Sequence, residues 1–247
     1  MKIIRRVAPN KGVETEYKKK LDKLVDAMSK SVLYWVLADF GDRSARELSI
    51  AIQKRIKQWK KIFGKYSDDL AIWFVKSIKK HIEFNMKNAF KEAGIKIKQD
   101  IPKNIIKAVE IENKDLINSI PEKYFIGVET VCMLALLYDW NKTDLTNELK
   151  KRYNITKRRV RIIAEDQTYK TNELFKRELC KVVGVRKGRW VYTWRSEHPR
   201  ESHIQLDGAL FDLNKGCYNY YDNEFIYPTQ KVNCKCDFVP VIEEFGD

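Results

Sequence analysis

The chain has 247 residues, of which 44% are hydrophobic and 12% aromatic; this excludes a disordered polyelectrolyte and supplies one large or two ordinary cores. Its net charge of +14 suits a polyanionic neighbour, and only 10 glycines and 6 prolines are present to interrupt helices. The charge is uneven: residues 1–94 hold 22 Lys/Arg against 11 Asp/Glu, residues 95–170 hold 15 against 11, and residues 171–247 hold 11 against 12.

The longest apolar run, Val131 to Tyr138, is well short of the roughly 20 residues of a membrane-spanning helix, so no membrane association is expected. The basic start, Met1 to Pro9, lacks an apolar segment behind it, and no signal peptide is expected. The five cysteines, Cys132, Cys180, Cys217, Cys234 and Cys236, are then read as reduced thiols.

In chain order, Tyr17, Leu21, Leu24, Val25, Met28, Val32, Leu33 and Val36 recur at spacings of three and four, which predicts a helix over 14–39. A second follows from Ser44 on Leu48, Ile52, Ile56, Trp59 and Phe63, ending at Gly64. Ser67, Asp68 and Asp69 suit the start of a third, which runs through Phe74, Ile78, Ile82, Met86 and Phe90 to Gly94. Short connections predict antiparallel neighbours. The aromatics sit at core spacing rather than as a base-stacking platform, and His81 carries no assigned chemistry.

Residues 95–101 read as a linker. An irregular helix over Ile101–Ile120 precedes a buried one from Pro121 to Tyr138, with Pro102 and Pro121 at early helical positions. Breaks at Asn141 and at Asn154–Thr156 frame a short helix, and a long helix runs from Lys157 to Val183, ending at Gly184. The period then changes. Arg189 to Arg195 alternates large and small residues as a strand does. A short helix over Glu197–Leu206 and a turn at Asp207–Gly208 follow, with short strands at 209–213, 224–227 and 235–241. The expected class is α+β, mainly α: a basic helical region (1–94), a second helical region with a long connecting helix (95–184), and a small C-terminal α+β domain with short strands (185–247).

The specific residues lie in that last part. They are Tyr192 and Trp194; Arg200, Ser202 and His203; Leu206, Asp207 and Gly208; then Pro228, and Cys234 with Cys236. Asp166 and Gln167 precede them by about one helix. In this order the residues resemble the phage Mu F-like domain of minor head proteins, in which an "A-R-D-Q"-like helix leads to "Y-x-W", "R-x-S-H", "L-D-G" and a proline-then-"C-R-C" tail. The resemblance covers roughly residues 120–242, including Ile120 to Tyr124. Glu165 stands where the family has a basic residue, the stretch from Trp194 to Arg200 is shortened, and a second cysteine pair found in some members is absent.

The resemblance implies a minor structural protein of a tailed-phage head that acts in head morphogenesis without catalysis. Such a protein is made in the host cytoplasm and resides in the virion, in the head interior or near the portal. Its implied partners are the portal protein and other head proteins, and non-specific contact with packaged double-stranded DNA suits the basic N-terminal part. A solvated lysine face is the competing reading of that charge. Family-motif residues with a structural role are Asp166, Gln167, Trp194, Arg200, His203, Asp207, Gly208 and Pro228.

Two readings of the histidine and cysteines stand side by side. One is a structural zinc on His203, Cys234 and Cys236, with Cys217 as a candidate fourth ligand. The other is a metal-free buried knot of these side chains with Arg200 and Asp207. The spacing argues against ready convergence, because Cys234 and Cys236 can share an ion only if the backbone curls between them. Two alternative functions are weaker. A metal-dependent nuclease would rest on His198, His203 and Asn233, without a carboxylate cluster. A stand-alone DNA-binding module would rest on a helix-turn-helix around 143–161 with Lys150, Lys151, Arg152, Lys157, Arg158 and Arg159.

Overall fold

Asn10 opens the first of four long helices: its Oδ1 accepts from the backbone N–H of Gly12 at 2.9 Å and of Val13 at 3.2 Å, which occupies donors that a helix start leaves free. The computed structural model describes residues 2–41, 44–97, 99–196 and 199–242. The helices are α1 (Lys11–Asp39), α2 (Ala45–Glu92), α3 (Lys103–Leu137) and α4 (Lys142–Val182). Ser44 and Glu47 cap α2 reciprocally, Ser44 N–H donating to Glu47 Oε2 at 2.9 Å and Glu47 N–H to Ser44 Oγ at 3.4 Å. Asn141 Oδ1 caps α4 through Thr143 and Asp144.

Three expected interruptions are not there. Gly64 lies inside α2, Pro121 inside α3, and Asn154–Thr156 inside α4. The described residues of 1–94 therefore form two helices, not three. The reason is the phase of the apolar stripe, which continues unchanged through each expected break. Phe63 leads to Leu70 and Phe74, Ile117 to Tyr124 and Val128, and Leu149 to Val160, all buried. A mid-helix glycine costs about 1 kcal/mol, less than the burial of one large side chain recovers. The hydroxyls expected to cap new helices turn back along the existing ones: Ser67 Oγ donates to Gly64 O at 3.1 Å, and Thr156 Oγ1 to Arg152 O at 3.0 Å. Where helices do end, Gly94 and Gly184 adopt φ of +83° and +80°. The next residues, Ile95 and Val185, then donate back to Phe90 O and Cys180 O.

After α4 come β2 (Lys187–Val191), α5 (Glu201–Ile204), β3 (Leu210–Asp212), β4 (Cys217–Asn219), β5 (Glu224–Ile226) and β6 (Asp237–Ile242), while β1 (Lys2–Ile3) precedes α1. An antiparallel sheet has the order β1-β6-β2-β3, and β4 pairs with β5 in a second sheet. In register, Trp190 faces Phe238 and Gly188 faces Phe211. Trp190, Phe211 and Phe238 are buried, with Trp190–Phe211 and Phe211–Phe238 centroids 6.1 and 6.0 Å apart. Gly188 has no room for a side chain there: a Cβ would lie 2.9 Å from Leu213 Cδ2 and 3.0 Å from Phe238 Cδ2. The class is mainly α with a small C-terminal antiparallel sheet of short strands.

The chain forms two compact units that do not follow its order. One comprises Met1–Glu14, Phe74–Val109 and Glu165–Asp247; the other comprises Thr15–Trp73 and Glu110–Ala164. The regions expected from sequence, 1–94, 95–184 and 185–247, were consecutive, whereas each observed unit gathers separated segments. The second unit is all helical, tied internally by Tyr17 Oη to Asn113 Oδ1 at 3.2 Å and by Lys157 to Asp22 and Asp26 at 2.8 and 2.9 Å. The first unit holds both sheets and the motif residues from Asp166 onward.

Candidate metal centre and the motif residues around it

Four separated pieces of sequence converge at one end of β2. Asp207 Oδ1 accepts the Tyr192 N–H at 2.8 Å, just past the end of β2. Gly208 N–H donates to Trp190 O at 3.0 Å, and Trp190 N–H to Ala209 O at 2.8 Å. The Asp207–Gly208 turn is thereby fixed to the strand that carries Trp190. Arg200 precedes α5 and sends Nη2 to Val232 O at 3.0 Å. Asp166, on α4, accepts the Asn233 N–H at 2.9 Å and pairs with Lys170 at 2.8 Å. Glu165, where the family pattern has a basic residue, pairs instead with Lys235 at 2.7 Å. Thr193 Oγ1 donates to Lys235 O at 2.7 Å. The tail that bears the cysteines is thus held from α4, from β2 and from the approach to α5.

Within this frame His203, Cys234 and Cys236 are 2%, 3% and 4% exposed. The His203 Nδ1 lies 3.3 Å from Cys234 Sγ and 3.7 Å from Cys236 Sγ, and all three ligand atoms fall within 4.8 Å of one another. The curl that a shared ion requires is present. Asn233 takes φ of +61°, Cys234 N–H donates to Lys231 O at 3.0 Å, and β6 begins only at Asp237. The His203 ring packs edge-on to Trp190 at 5.7 Å, and its Nε2 is buried without a hydrogen-bond partner. Nδ1 is thus the ring nitrogen that faces the two sulfurs.

The electrostatics agree with that donor set. A hydrogen bond from Cys236 and the nearby His203 pull the Cys234 thiol well below its ordinary range, against the effect of burial. The neighbouring Cys234 sulfur, together with burial, pushes Cys236 up. The shift on Cys234 favours the thiolate, the form in which cysteine binds a metal. The other thiols behave differently. Burial raises Cys132 to about 12 and also raises Cys180, as expected of packed apolar residues. Cys217 lies on β4 opposite Ile226 and is not part of the three-residue group, so it does not supply the fourth ligand.

Gln167 and Pro228 are buried, and Gly208 has φ of +80°. Trp194 is 74% exposed, with φ of +55° and its ring against Tyr192 at 4.8 Å. His198 lies outside the described residues. His81 Nε2 donates to Ala8 O at 2.9 Å and its Nδ1 accepts from Asn10 Nδ2 and Asn85 Nδ2, both at 3.3 Å, a tie for the N-terminal segment. The expected turn around 154–156 is helical, so residues 143–161 contain no helix-turn-helix. Lys157 there pairs with acids of α1, and Arg159 reaches Ser119 at 2.8 Å.

Sequence reasoning missed a buried charge cluster beside this centre. Lys176 is fully buried and bonded to Asp237, and it donates to Phe238 O at 2.8 Å. Arg6 Nε reaches the other Asp237 oxygen at 2.6 Å. Lys176 lies four residues after Asn172 and four before Cys180, both buried, and that spacing was the available signal. Among the described residues, no helix is long and apolar enough to cross a membrane. Comparison with protein-family models, with curated proteins and with solved structures finds no match.

Proposed function

We propose that this chain is a minor structural protein of a tailed-phage head, acting without catalysis in head morphogenesis near the portal and packaged DNA. The reading rests on the resemblance to the Mu F-like domain. One observation carries it furthest: residues of that pattern, scattered from Asp166 to Cys236, hold one another or the backbone beside the two cysteines. Asp166 grips Asn233, Arg200 grips Val232, Asp207 grips Tyr192, and His203 meets both cysteines. A pattern whose members brace one another is what a structural domain requires. An enzyme site would instead direct such groups into a cleft.

Within this reading, His203, Cys234 and Cys236 hold a structural zinc. Tetrahedral zinc with S and N ligands separates its donor atoms by about 3.6–3.8 Å, and the observed Nδ1–Sγ distances of 3.3 and 3.7 Å need little adjustment. The metal would supply the cross-link that ties the tail before β6 to α5 and so to β2, in a unit where four of the six described strands are two or three residues long. The portal protein and other head proteins are the partners. Co-expression with the portal protein of the same phage genome tests the reading. Co-purification with the portal through size exclusion is expected, and its absence with both proteins folded would overturn it.

A further inference from the structure

The solvent face of α2 carries Lys54, Lys57, Lys61 and Lys65, all exposed. Their spacings of three, four and four place them within about 80° of one another around the helix and along about 16 Å of its axis. None of the four has an ion-pair or hydrogen-bond partner among the described residues. The adjoining flank of the same helix is different: Lys60 pairs with Glu122 at 2.8 Å and Gln53 reaches Glu129 at 3.1 Å, while Asp68, which continues the face of the row, pairs with Lys114 of α3 at 2.7 Å. Glu122 and Glu129 of α3 are thus engaged on that flank, Asp68 is engaged by Lys114, and the four lysines of the row are left without an ion-pair partner among the described residues. Between Lys54 and Lys65 no large apolar side chain is exposed.

We propose that this row is the surface by which the protein holds the phosphate backbone of double-stranded DNA. The proposal deepens the DNA contact of the preceding section and rests on it. A duplex presents one negative charge per about 1.7 Å of axis, so a straight row of this length faces on the order of ten phosphates. Lysine ammonium groups act as hydrated point charges on flexible stems, which suits sequence-independent phosphate contact. A protein partner would call for buried aromatic or arginine anchors, and the row has none.

The test is binding of a short duplex of arbitrary sequence by the full chain, across a salt series. For the variant K54Q/K57Q/K61Q/K65Q the slope of log K against log salt becomes shallower by about 3 to 4. The corresponding arginine variant keeps the parent slope. The variant K91Q/K96Q/K103Q/K215Q removes the same charge from exposed positions elsewhere and also keeps the parent slope. Circular dichroism confirms that each variant is folded. Equal losses in the two glutamine variants would assign the effect to net charge and overturn the proposal. So would a parent that binds no duplex, or one that binds phosphatidylserine vesicles but not duplex. A parent that co-purifies with the portal yet ignores DNA would sink this inference and leave the proposed function standing.

Discussion

Replacing Lys176 by methionine keeps the apolar stem of that side chain and removes its charge. In the native protein the ammonium group has no exposure, bonds to Asp237 and Phe238 O, and stands 4.3 Å from the Phe238 ring centroid. The substitution leaves the Asp237 carboxylate, 5% exposed, with Arg6 Nε at 2.6 Å and the Phe238 N–H at 2.8 Å. Breaking a buried pair from one side costs about 3–5 kcal/mol. The two surviving partners place this case near the lower end, about 3 kcal/mol. With a urea slope of about 2–3 kcal/mol per M, the unfolding midpoint of the Trp190 region should fall by about 1–1.5 M. Asp237→Asn in the same background removes the stranded charge, so the double variant should be less destabilised than the sum of the singles by about 1 kcal/mol or more. Urea titration by tryptophan fluorescence reads all three proteins. A Lys176→Met midpoint equal to the parent's would refute the view that this pair locks β6 to α4.

Glu173 is fully buried beside Arg177, Lys176, Lys181 and Asp237, and desolvation raises its carboxyl from 4.5 to about 7. The folded state therefore keeps its proton over a range where the unfolded chain loses it. Stability from this group is complete below about pH 4.5 and is lost as pH rises through about 7. Glu173→Gln should be more stable than the parent at pH 8, by up to about 3 kcal/mol, with no gain at pH 4; equal gains at both values in denaturant titrations would contradict the assignment. Gly188→Ala forces a methyl against Leu213, Phe238 and Phe211 and should cost about 1–3 kcal/mol, read as a lower Tm. An unchanged Tm would mean that the strand shifts freely. Asp207→Ala strands the Tyr192 N–H and should cost about 1–2 kcal/mol, with faster hydrogen exchange at that amide as its local sign. Unchanged exchange would refute the bond.

The long helices were legible because their apolar positions recur in phase: Tyr17, Leu21, Val25, Met28, Val32 and Val36 are all fully buried. The breaks were misplaced where Gly64, Pro121 and Asn154 were read as local stops, since local propensity yields to a stripe that packs on both sides. The two-residue β1 was not legible, because it exists only through pairing with β6 at the far end of the chain. The motif residues were found through their resemblance to a family. Their mutual bonds were hidden, because turns bring Asn233 to Asp166 across 67 positions. Convergence of the cysteines on His203 is hidden in the sequence for the same reason: the curl depends on a positive φ at Asn233, a conformation asparagine tolerates but does not announce.

The central claim is that His203, Cys234 and Cys236 form a metal-holding brace for the C-terminal sheet, and metal content tests it most directly. Protein purified without chelator should contain about one zinc per chain by elemental analysis. Cobalt exchange should give a thiolate-to-metal absorption band that is absent from Cys234→Ser and Cys236→Ser. Protein free of metal, with a Tm indifferent to added zinc and no cobalt band, would contradict it.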